Sequence, residues 1–144
     1  MSDNDLIDAA KGLLSRHEGR RTRMYKCSAG YNTIGVGHNL DALPISEFAV
    51  DVILADDLKS VFADLDRVLP WWRREGWVRQ LALLDLCFNL GIERLSLFKN
   101  TLSAWERGNY PAAAAGLVAS KWFTQVGVRG PRVVQMVRDG TMPA

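Results

Sequence analysis

At 144 residues and 48% hydrophobic, the chain has the size of one globular domain with a real core, 1–144, and is too short for two independent ones. Eighteen Lys and Arg against sixteen Asp and Glu leave only +2, which excludes a dedicated nucleic-acid binder whose affinity comes from neutralising phosphates. Cys27 and Cys87 are too few for a disulfide scaffold and are expected as free thiols.

The opening residues, MSDNDLIDAAKGLL, carry early acids and no long apolar run, so neither a signal peptide nor a membrane anchor is expected, and the protein is placed in the cytoplasm. Residues 4 to 18 read as a helix, with Leu6, Ala10, Leu13 and His17 on one stripe and Gly19 placed to end it. Glu18 therefore falls at a helix C-terminus. Arg16, Arg20, Arg21, Arg23 and Lys26 crowd around it, and a second basic group (Lys121, Arg129, Arg132, Arg138) lies near the end. Such patches suit an anionic polymer such as a cell wall, although charge runs are more often solvated surface.

From 23 to 38 the pattern changes to short β-type runs around a Cys-Ser-Ala-Gly turn, predicting a hairpin with a third short strand near 39 to 43. Everything after Pro44 reads as helical. Ser46 caps a segment to about Leu69, long enough to link two lobes, and 77 to 90 is apolar on nearly every side, which predicts a helix buried all round. Shorter helices follow at about 100 to 107, 111 to 121 and 131 to 139, punctuated by Gly108, Pro111, Pro131 and Gly140. The class is α+β: a small antiparallel sheet lobe beside a larger helical lobe, with a cleft between them. No repeat or low-complexity linker divides it.

The run His17-Glu18-Gly19, followed by Tyr25-Lys26-Cys27-Ser28-Ala29-Gly30-Tyr31-Asn32-Thr33-Ile34-Gly35-Val36-Gly37-His38, resembles the phage-type lysozymes of glycoside hydrolase family 24. In that family a catalytic Glu is followed after eight residues by Asp or sometimes Cys, and after five more by Thr. Glu18, Cys27 and Thr33 meet that spacing. Weaker similarity continues through Phe88-Asn89-Leu90-Gly91, Ser120-Lys121-Trp122-Phe123 and Gly130-Pro131-Arg132. The resemblance implies a lysozyme-like fold and an endolysin that hydrolyses the β-1,4 bond between N-acetylmuramic acid and N-acetylglucosamine in bacterial peptidoglycan. It also implies action as a monomer, without cofactor, after a holin opens the membrane of the host cell. Two other readings stand beside it: a non-catalytic peptidoglycan-binding protein with a degenerate site, and a tail-associated or chitin-type hydrolase of the same fold.

The residues themselves fit acid catalysis. A carboxylate facing the negative end of a helix dipole is favoured in its protonated form, and a leaving glycosidic oxygen needs that proton, whereas the nearby arginines pull the other way. Cys27 stands where a second carboxylate is usual; a thiol is largely neutral at neutral pH, so it serves either as a hydrogen-bond partner of the water or as a partial thiolate. The Thr33 hydroxyl can both accept and donate, which suits holding the attacking water. Asn89 interrupts an apolar helix end and is a candidate for sugar contacts. By resemblance, Arg129 and Arg132 lie near the catalytic Glu, and His38 is a structural residue pairing with Asp57 or Asp56. The chain's two histidines lack partners at metal-ligand spacing, so no metal is predicted. Trp71, Trp72 and Trp77 read as core rather than as sugar platforms.

Overall fold

A computed structural model describes all of residues 1–144, and its backbone contacts divide them into two compact units, Met1–Asp51 and Val52–Ala144. The first unit opens with α1 (Asp3–Glu18), started by a reciprocal cap: Ser2 Oγ accepts from the Asp5 N–H at 3.2 Å, and Asp5 Oδ2 accepts from the Ser2 N–H at 3.0 Å. Gly19 ends the helix at φ +77°, donating its N–H to the Ser15 carbonyl.

A three-stranded antiparallel sheet follows, in the order β1 (Arg21–Lys26), β2 (Asn32–Gly35), β3 (His38–Asn39). Tyr25 pairs with Thr33 and Ile34 with His38, while the register slips between Arg21 and Tyr25. The third strand is shorter than the predicted 39 to 43. Asn39 Oδ1 accepts from the N–H groups of Asp41 and Ala42, and this side-chain turn competes with strand pairing and stops it.

Helix α2 (Glu47–Val68) begins in the first unit, where Ser46 Oγ accepts from the Ala49 N–H, and runs on into the second. A 3-10 turn (Pro70–Arg74) leads to α3 (Trp77–Leu90), α4 (Ile92–Ser96), α5 (Lys99–Glu106), α6 (Tyr110–Val118), α7 (Lys121–Gln125) and α8 (Arg129–Asp139). No helix is long and apolar enough to cross a membrane.

The hydrophobic core lies wholly in the second unit, around Leu65, Trp72, Leu83, Leu86, Trp105 and Val137. Helix α3 occupies its centre but is not buried all round. Val78, Ala82, Leu83, Leu86, Cys87 and Leu90 face the core, whereas Leu81, Leu84 and Phe88 line an apolar groove of about 750 Å³, and Trp77 is 64% exposed. Apolar content alone does not reveal which face a neighbouring helix covers. Trp71 and Trp72 are core residues, as expected: Trp71 packs at 6.3 Å against Trp105, and Trp72 at 5.2 Å edge-on to Phe62.

Candidate active site

In the first unit the chain brings three predicted residues onto one small scaffold. Glu18 is the last residue of α1 and its carboxylate is exposed, lying against Gly37 in the turn from β2 to β3. Cys27 begins the turn from β1 to β2, pinned at both its main-chain groups: its N–H donates to the Tyr31 carbonyl at 3.0 Å, and its carbonyl accepts from Gly30 at 2.8 Å. The hydrogen bond from the Tyr31 main chain holds the Cys27 thiol below the ordinary thiol range, against the opposing effect of desolvation, with smaller help from the Ala29 and Gly30 main chain.

Thr33 stands in β2 opposite Tyr25 and is 3% exposed, in the most buried position of the sheet. Its Oγ1 donates to the Tyr31 carbonyl at 2.9 Å. A hydroxyl has one proton and two lone pairs, so Oγ1 engaged in this way remains an acceptor. His38 Nε2 lies 3.1 Å from the Leu43 carbonyl; a carbonyl can only accept, so Nε2 carries the proton and ties the loop after β3 back to the sheet.

The second unit carries the other predicted residues. Asn89, in the last turn of α3, accepts at Oδ1 from the indole N–H of buried Trp122 at 2.9 Å, which leaves its amide protons free. Arg132 donates to the Ala144 main-chain oxygen at 2.9 Å. Arg129 Nε stands 3.2 Å from Asp85 Oδ1, close enough for charge pairing, yet Oδ1 is buried without an aligned hydrogen bond. Burial pushes the Asp85 carboxyl above its usual range, opposed by the Arg129 charge. Asp85, Arg129 and Arg132 are the charged members of the otherwise apolar groove beside α3. Sequence reading passed over Asp85. Its signal was a lone carboxylate inside the apolar run 77 to 90.

The phage lysozyme family model matches residues 15–138, a span that takes in Glu18, Cys27, Thr33 and the whole sheet, and the chain belongs to that family. It is thus a glycoside hydrolase of lysozyme type, with peptidoglycan as its substrate. Among similar proteins, "Probable T4-type lysozyme 1" and "Probable T4-type lysozyme 2" of Dictyostelium discoideum are 24% and 25% identical, over 96% and 95% of this chain and 99% and 98% of their own length. The pre-baseplate central spike protein Gp5 of Enterobacteria phage T4 is 26% identical over 97% of this chain, which spans 29% of that protein.

Proposed function

We propose that residues 1–144 act as one catalytic domain, a monomeric muramidase that cuts the β-1,4 bond from N-acetylmuramic acid to N-acetylglucosamine. The observation that carries this reading is the placing of Glu18, Cys27 and Thr33 on a single helix-and-hairpin scaffold, at the spacing of the family's catalytic residues. Glu18 donates its proton to the leaving glycosidic oxygen as positive charge develops on the sugar. Thr33 Oγ1, its own proton committed to Tyr31, accepts a hydrogen from the attacking water and leaves a water lone pair turned to the sugar. The water's second proton passes to the Cys27 sulfur when that group is ionised, or to solvent; solvent exchange then returns it and reprotonates Glu18.

Asn89, Arg129 and Arg132 are assigned as substrate-binding or supporting residues on the second unit, with Asp85 as the charge partner of Arg129. In the cell the protein serves as an endolysin that gathers in the host cytoplasm and meets the wall once a holin has opened the membrane. The test is digestion of purified peptidoglycan with product analysis: muramic acid at the new reducing ends is expected, and glucosamine ends would overturn the bond assignment.

A second reading, a tail-associated lysozyme, is favoured by the likeness to a protein named as a central spike. The two separate on purified phage particles: an endolysin is absent from them and stays in the lysate, whereas a tail component co-purifies with them.

A further inference from the structure

Between Arg16 and Lys26 the chain carries five cations and one carboxylate, a net charge of +4 with histidine neutral, in a protein whose total is +2. Every other part taken together is therefore net −2, and the positive charge is concentrated in one short segment. That segment is α1's last turn and the strand β1, which is an edge of the sheet and has all its residues exposed except half-buried Tyr25. The chain's ion pairs join Lys11 to Asp8, Arg67 to Asp64, Arg73 to Asp66, Arg129 to Asp85 and Arg138 to Asp139. None of Arg16, Arg20, Arg21, Arg23 and Lys26 takes part in one.

Solvated surface charges of mixed sign usually find neighbours of opposite sign; five unpaired cations on consecutive turns of chain produce a local field instead. Asp41 lies close enough to Lys26 to offset part of its charge, while its carboxylate accepts from the Asn32 N–H at 2.8 Å and from its Nδ2 at 3.1 Å; the four arginines make no ion pair with any carboxylate. The Arg21 guanidinium carbon lies 5.1 Å from the centre of the Tyr25 ring, a cation–π contact that rests it against that side chain.

We propose that β1 with Arg16 and Arg20 is a docking strip for the carboxylates of peptidoglycan peptide stems. This inference rests on the peptidoglycan reading above and adds a second point of contact, made with the stems rather than the sugars. The chemistry is complementary: guanidinium groups accept carboxylates as paired, charge-assisted partners, and each wall repeat offers carboxylates on flexible stems. The strip also adjoins the reacting groups along the chain. Arg16 and Arg20 are each two residues from Glu18, and Lys26 directly precedes Cys27. Stems held here keep a glycan strand beside the acid between cuts.

The test is a double variant, Arg21→Gln with Arg23→Gln, two exposed positions outside the catalytic set, whose folding is checked by thermal melting. Sedimentation with purified sacculi on ice measures binding without turnover. The apparent affinity is expected to fall about 3- to 10-fold, the scale of two exposed ion contacts, and to lose part of its salt dependence. Glycan strands stripped of their stems by an amidase should be bound and cut equally by both proteins. Removing the same charge from the second unit, with Arg67→Gln and Arg94→Gln, should leave sacculus binding unchanged. Unaltered sacculus binding in the β1 variant would overturn the strip, and an equal loss on stripped glycan would assign it to sugars instead. Equal wild-type binding to phosphatidylglycerol vesicles, lost in parallel, would replace stem recognition by general polyanion attraction. Failure of the muramidase reading is separate: no substrate would then yield new reducing ends.

Discussion

The Glu18 carboxylate lies against Gly37: a β-carbon built on that glycine would stand 3.1 Å from Glu18 Oε2 and 3.3 Å from its Cδ. Gly37 also has φ +68°, a conformation that costs an L-residue about 1–2 kcal/mol. Gly37→Ala should therefore lose stability and displace the acid. Gly35→Ala is the matched control, since Gly35 has φ +70° with nothing within 4 Å of a built β-carbon. Both variants should melt earlier, and Gly37→Ala should show the larger loss of specific activity. Equal specific activities would mean that the contact does not position Glu18.

The two cysteines should separate by reactivity. Cys27 is partly exposed with its thiol held low, whereas the Cys87 thiol is 2% exposed and pushed up to about 11 by burial. Iodoacetamide should label Cys27 first, with a rate that rises at a pH below the free-thiol value of about 8.5. Cys87 should react only on unfolding, as read by mass spectrometry. For function, Cys27→Ser keeps much of the activity if the thiol serves as a hydrogen-bond partner and loses about 100-fold if a thiolate is the base. Cys27→Asp, which restores the family's commoner carboxylate, should remain active in either case.

Much of this was legible in the sequence because its signals are local. Ser2 and Gly19 bracket α1, Ser46 opens α2, and the glycine-rich runs between β strands mark the turns. The Glu18, Cys27, Thr33 spacing was readable for the same reason, since all three fall within sixteen residues. What was hidden depends on contacts distant in sequence or on single side chains. Asp85 shows its character only through its burial in the groove and its pairing with Arg129, forty-four residues on, and the core-facing side of α3 depends on helices that follow it. The 3-10 turn at Pro70 and the five-residue helices α4 and α7 were missed because one turn carries too little periodicity to stand out. Helix α8 begins at Arg129 rather than at Pro131, since a proline in the first turn removes an N–H that has no helical partner.

Asn89 should prove partly structural. Trp122 is 3% exposed and its indole N–H donates to Asn89 Oδ1. Asn89→Ala leaves that buried donor unpaired, at a cost of about 1–3 kcal/mol. Denaturant unfolding should show this loss, and Asn89→Asp, which retains an acceptor, should recover most of it. A neutral effect of Asn89→Ala on stability would return Asn89 to a purely substrate-facing role.

Acid stability should depend on Asp66. Hydrogen bonds from Arg73 and from buried Trp72 hold its carboxyl at about 2, below the ordinary value of 3.8. A carboxyl lowered on folding contributes stability that is fully present above its unfolded value and is lost as the pH falls through its folded value. The wild-type melting temperature should thus decline between about pH 4 and about pH 2. Asp66→Asn should be less stable at neutral pH and should show a shallower decline over that window. The side chain is 47% exposed, so solvent screening keeps the effect modest. An identical acid profile in the variant would remove Asp66 from the acid response.

The most direct measurement is the rate of peptidoglycan hydrolysis by wild type and Glu18→Gln, with melting temperatures taken on the same preparations. The amide is close in shape to the acid and Glu18 is exposed at the end of α1, so the fold and melting temperature should be preserved. It cannot donate the proton that the leaving oxygen requires, and the rate should fall by about 100- to 10,000-fold. A variant that keeps more than about a tenth of the wild-type rate, far above that range, would contradict the assignment of Glu18 as the acid.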